Sequence, residues 1–129
     1  MSSSNIKNDS TTVVESHNSM PISSLTNRGI LIVLSSNYFG KTFIIDKSSM
    51  VIGRLDDCDI ILDDPLVSKK HSVIIFDKDN KFYIEDLGSK NATFLNGKKL
   101  KKRSHIIYGD RIIVGKTIMR FYLEEKIEE

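Results

Sequence analysis

A single cysteine in 129 residues leaves Cys58 without an intramolecular disulfide partner, so the fold rests on no disulfide framework and requires no oxidising compartment. Long apolar runs are also missing, and none approaches the roughly 18 residues of a membrane span. The polar stretch from Met1 to Ser10 has neither the basic nor the apolar region of a signal peptide, and a soluble cytoplasmic chain is expected. Metal-ligand spacing is lacking: His17, His71 and His105 are far apart with one cysteine among them. Asp56, Asp57, Asp59, Asp63 and Asp64 have neither the spacing nor the central glycine and closing glutamate of a calcium loop. They read as solvated strand ends, and no metal or other cofactor is expected. Amphipathic helical periodicity of useful length is absent too.

The residues that are present point to strands. About 40% are apolar, enough for the core of one domain. Residues 1–28 are rich in Ser, Thr and Asn without a sustained apolar period; such a segment cannot bury enough surface to offset its ordering entropy, and a disordered tail is expected. From Gly29 onward, short β-branched and aromatic runs alternate with turn residues. Strands are expected at 30–34, 41–46, 50–53, 59–62, 72–76, 81–86, 93–95, 98–100, 105–107, 111–114 and 117–123. Asp77-Lys78-Asp79-Asn80, Asn96-Gly97 and Gly109-Asp110 supply turn chemistry between them. This spacing argues for an all-β, two-sheet β-sandwich of about eleven short strands over residues 29–123, with recognition loops at one end. Residues 124–129 are acidic, and a frayed end is expected there. The formal net charge of +2 hides a basic surplus in the middle of the chain, which favours anionic partners.

Three inter-strand clusters carry candidate chemistry: Gly53-Arg54; Ser68-Lys69-Lys70-His71; and Asp86-Leu87-Gly88-Ser89-Lys90-Asn91-Ala92-Thr93, running on to Asn96-Gly97. Their order and spacing, together with Cys58-Asp59-Ile60-Ile61-Leu62-Asp63-Asp64-Pro65 and Tyr108-Gly109-Asp110-Arg111-Ile112, resemble the forkhead-associated domain over roughly residues 30 to 122. The resemblance implies a two-sheet sandwich whose loops bind phosphothreonine peptides in protein–protein signalling. It also implies roles. Arg54 would offer paired guanidinium donors to a phosphate of about −1.5 to −2 charge. Ser68 would donate a hydroxyl hydrogen bond, Lys69 and Lys90 would add charge, and Asn91 would hold the peptide main chain, since its amide both donates and accepts. His71 would brace the Ser68 loop, and Gly53, Gly88, Asn96 and Gly97 would shape the binding edge. The sequence departs from the family pattern at Lys90, where a Thr often donates to phosphate, and at Ala92, where Gly is usual. The second departure costs about 1–2 kcal/mol if the backbone requires positive φ.

Other readings compete. Ser68 and His71 resemble a nucleophile and its base, but no Gly-x-Ser-x-Gly elbow and no orienting acid accompany them, so no enzyme activity is expected. The run Lys98-Lys99-Leu100-Lys101-Lys102-Arg103 reads first as a solvated hairpin edge whose lysines block aggregation, with nucleic-acid binding as the rival reading. Thr11, Thr12 and Thr26 in the tail offer a self-regulating alternative in which a phosphorylated threonine occupies the chain's own pocket.

Overall fold

The computed structural model describes residues 28–124. The expected tail and the residues after Glu124 lie outside that range. Eleven strands form two sheets, and one short 3-10 turn at Ser36–Tyr38 links the first two strands within one of them. The strands are β1 (Arg28–Val33), β2 (Thr42–Ile45), β3 (Ser49–Gly53), β4 (Ile60–Ile61), β5 (Ser72–Phe76), β6 (Phe82–Asp86), β7 (Thr93–Leu95), β8 (Lys98–Lys99), β9 (Ser104–Ile106), β10 (Arg111–Val114) and β11 (Thr117–Glu124). One sheet has the order β2-β1-β11-β10-β7-β8 and the other β4-β3-β5-β6-β9. Every pairing is antiparallel except β3 with β4.

The core follows from the period-2 alternation of strand side chains. Along β11, Thr117, Met119 and Phe121 point inward and are buried, while Ile118, Arg120 and Tyr122 are only partly covered. Leu31 and Val33 on β1 and Ile112 and Val114 on β10 meet Ile52, Ile74, Phe82 and Ile84 of the facing sheet. Phe82 packs against Phe121 edge-on, ring centroids 5.3 Å apart, across the sandwich.

Three expectations need correction. Arg28 opens β1 and Glu124 closes β11, directly paired in register, with Arg28 Nε donating to Glu124 Oε1 at 2.7 Å; the folded unit therefore extends one residue beyond 29–123 at each end. The basic run 98–103 is a hairpin edge only over Lys98-Lys99, the exposed second strand of the β7–β8 hairpin. Lys98-Lys99 edge one sheet, Leu100 is buried, and the chain then crosses to β9 on the edge of the other sheet, with Arg103 beside Glu85 at 3.5 Å. Asp64 is completely buried rather than a solvated strand end.

Candidate functional site

The registers Ile52 with Ser72 and Ser72 with Asp86 place the end of β3, the start of β5 and the end of β6 in one row. Thr93, opening β7 on the other sheet, joins that row through a buried 2.7 Å hydrogen bond between its hydroxyl and that of Ser72. The loops after β3, before β5 and between β6 and β7 consequently leave the sandwich at the same end.

Close backbone approach brings the first two loops together. A Cβ on Gly53 would stand 2.1 Å from the Lys69 carbonyl oxygen and 2.8 Å from Cys58 Sγ, so only glycine lets the Ser68–Lys69 segment lie against β3. Contact is sealed by the Arg54 amide, which is shared between the carbonyls of Ser68 and Lys69, at 3.1 Å each. Arg54 Nε donates to the Val67 carbonyl at 3.0 Å. That bond fixes the guanidinium by its inner edge, and neither terminal amine of Arg54 has a partner among the described residues. The Ser68 hydroxyl oxygen accepts from the Lys90 amide at 3.0 Å, so its proton remains available for an outside acceptor. Lys69, Lys70 and Lys90 are exposed around this point and form no ion pair among the described residues.

His71 is buried and occupied on both ring nitrogens: Nδ1 accepts from the Ser68 amide at 3.0 Å, and Nε2 lies 2.8 Å from the Ala92 carbonyl oxygen. Since an amide can only donate and a carbonyl only accept, these partners require the Nε2–H tautomer. The ring ties the Ser68 loop to the β6–β7 loop. Asn91 makes a second tie, its Nδ2 donating to the Leu66 carbonyl at 2.9 Å and leaving its carbonyl oxygen and second amide proton outward. Ala92 has φ of 67°, in the left-handed region, and Gly88 has φ of 77° with open space around its α-carbon.

Two carboxylates that the sequence reading gave no site role hold these loops. Asp86 accepts from the amides of Gly88 and Ser89 and from the hydroxyls of Ser89 and Thr93, at 2.6 to 3.0 Å. Burial opposes its charged form, yet the hydroxyls of Ser89 and Thr93 and the two amides outweigh it and hold the carboxyl below its ordinary value. Asp64 does the same for the loop carrying Ser68: it accepts from the amides of Leu66 and Lys116 and from the Thr117 hydroxyl. Burial again works against the charge, and these donors prevail. The Asp86-x-Gly-Ser pattern is an Asx-turn signal that could have identified the first. Asp64-Pro65 is a turn signal of the same kind, but the burial of Asp64 depends on partners at 116 and 117, distant in sequence. Burial, then the neighbouring Asp57 charge, push the Cys58 thiol up, and its Sγ faces the Lys69 carbonyl at 3.3 Å as part of the packing.

Arg54, Ser68, Lys69, Lys90 and Asn91 thus lie together on three loops, braced by Gly53, His71 and Gly88. Asn96 and Gly97 do not join them. They form the β7–β8 turn at the far end of β7, where the Asn96 side chain bonds Asp110 and the Arg111 amide.

A β-sandwich end presenting an unpaired guanidinium, a free hydroxyl proton and several lysines defines an anion-recognition module. The chain belongs to the FHA domain family, whose model matches residues 50–115. It is 34% identical over 92 residues to an oxoglutarate dehydrogenase inhibitor of Corynebacterium jeikeium, covering 71% of this chain and 62% of that protein. Its fold matches Mycobacterium tuberculosis EmbR in complex with a low-affinity phosphopeptide, with TM-score 0.70 and 26% identity over 79% of this chain and 26% of that one. It also matches an FHA domain solved in work on phosphothreonine-dependent interactions, with TM-score 0.69 and 25% identity over 77% of this chain and 99% of that one. The chain spans 56% to 62% of the length of such curated bacterial relatives. No helix among the described residues is long and apolar enough to cross a membrane.

Proposed function

We propose that this chain is a phosphothreonine-dependent protein-binding module whose whole chemistry is recognition, working in the cytoplasm as part of a signalling assembly. The observation that carries the reading is the convergence of Arg54 and Ser68, from separate loops, with their donors unspent. Arg54 meets two phosphate oxygens with its terminal amines while Val67 holds its stem side. Ser68 gives its proton to the phosphate while the Lys90 amide occupies its oxygen. Lys69 and Lys90 supply the surrounding positive potential, which falls with salt because these side chains are exposed. Asn91 turns its free amide edge toward the partner's extended main chain. Catalysis has no support here, since both nitrogens of His71 are committed to the protein and Ser68 lacks a base.

Lys90 side-chain charge is flexible where a hydroxyl would be directional, so discrimination against phosphoserine rests on fewer fixed contacts. A degenerate peptide library offered in phosphothreonine, phosphoserine and unphosphorylated forms tests the reading. Selective retention of phosphothreonine peptides is expected; equal retention of the unphosphorylated library refutes it.

A further inference from the structure

Two arginines where β10 begins, midway along β11, are left unexplained by phosphothreonine recognition. Arg111 on β10 and Arg120 on β11 are direct cross-strand partners. Both backbone polar groups of Arg111 are used on its other side, the amide toward Asn96 Oδ1 at 2.9 Å and the carbonyl toward the Asn96 amide at 2.8 Å. Arg111 and Arg120 are therefore a non-hydrogen-bonded pair, the arrangement in which facing side chains approach most closely. Like charges directly opposite each other on a sheet repel. Neither guanidinium forms an ion pair among the described residues. Arg120 has only a 3.4 Å contact to the Gly109 carbonyl oxygen, and the nearby Asp110 carboxylate is spent on Asn96 and the Ile107 amide.

The two arginines border a cavity of about 380 Å³, lined by Asn96, Gly97, Gly109, Arg111, Ile113 and Arg120. Asn96 and Gly97 bring the β7–β8 turn to its side and Gly109 brings the turn before β10. A bound dianion would turn the repulsion between the guanidiniums into a two-sided clamp, each offering paired donors. We propose that this cleft is a second anion site, taking a second phosphorylated side chain of the same protein partner. Only β7 separates the two sites along the chain: Asn91 and Ala92 precede Thr93, and Asn96 and Gly97 follow Leu95. That strand spans about 10 Å, and Arg54 and Ser68 leave the facing sheet about another 10 Å away, a combined span that four to eight residues of extended peptide cover. That both phosphates belong to one partner rests on the phosphothreonine reading of the loops; occupancy of the cleft does not.

The test titrates inorganic phosphate into the isotope-labelled full chain and follows backbone amide resonances in wild type, Arg54→Ala and the double variant Arg111→Gln/Arg120→Gln. Saturable shifts at Gly97 and Gly109 are expected in wild type and in Arg54→Ala, and their loss in the double variant. The variant removes a like-charge pair, so its unfolding midpoint should not fall, and an unchanged fold keeps the result interpretable. Cleft amides that stay still at phosphate concentrations saturating the loop amides overturn the proposal, as do equal shifts in the double variant. Doubly phosphorylated peptides with four to eight residues between phosphates should bind wild type about tenfold or more tighter than singly phosphorylated ones, a gain absent in the double variant. No gain in wild type overturns the shared-partner assignment while leaving the loop site standing. Binding to vesicles of phosphatidylcholine with phosphatidylserine that depends on the two arginines, without any such peptide gain, also overturns it.

Discussion

Ala92 carries a Cβ where the backbone turns left-handed, at φ of 67°. The strain is tolerated because His71 and Asn91 pin the residues around it. Ala92→Gly relieves about 1–2 kcal/mol of backbone strain, against about 0.4–1 kcal/mol of added unfolded-state entropy. Urea unfolding should show a change between neutral and about 1.6 kcal/mol more stable. A clear destabilisation would mean that the Ala92 methyl makes a contact worth more than the strain. Gly53 was legible as a special glycine, but its reason, the Lys69 carbonyl on the neighbouring loop, is visible only in three dimensions. Asn96-Gly97 misled because turn chemistry in sequence does not say at which end of a strand the turn lies.

The strands were legible because the apolar alternation is strong, and most boundaries fall within a residue or two. What stayed hidden were links between loops. Leu100 follows two exposed lysines directly after β8, yet it is buried where the chain changes sheets. Asp64 and Asp86 are the hydrogen-bonded centres of their loops, and both carboxyls lie below their ordinary value of 3.8 in the folded protein. Just below the ordinary carboxylate range the unfolded chain therefore binds more protons than the folded one, and stability rises with pH there. The contribution is present above the unfolded-state value and disappears as pH falls through the folded-state values. Asp86→Asn should flatten the acid limb of a plot of unfolding midpoint against pH. At neutral pH it should also weaken phosphopeptide binding by loosening the loop bearing Lys90 and Asn91. An acid limb as steep as wild type would remove Asp86 from this role. Replacing fully buried Asp64 by Asn should cost about 1–3 kcal/mol, read by the same denaturation, because donors lose their acceptor.

Viewed as one body, the sandwich separates its recognition loops from the start of β1. Val33 pairs with Met119 near the loop end, and Arg28 with Glu124 at the opposite end. The six residues of β1 span about 20 Å. Thr26 precedes Arg28 by two residues, about 7 Å of chain, and cannot reach the Arg54 pocket of its own molecule. Thr11 and Thr12 have sixteen or more residues to Arg28, over 50 Å at about 3.3 Å each. If the chain serves its own pocket, phosphate on Thr12 should raise the apparent Kd for an outside phosphopeptide, and phosphate on Thr26 should not. Equal effects from both sites, or none from Thr12, would end that idea.

Arg54 carries the argument for the molecule as a whole, since its outer amines are free and its stem bond to Val67 leaves the fold with little to lose. Calorimetric titration of a library-selected phosphothreonine peptide into wild type and Arg54→Ala, with thermal unfolding of both, is the most direct check. Affinity should drop by about 2–5 kcal/mol in Arg54→Ala while the unfolding midpoint stays near that of wild type. Equal affinity for the two proteins would show that the phosphate is held elsewhere.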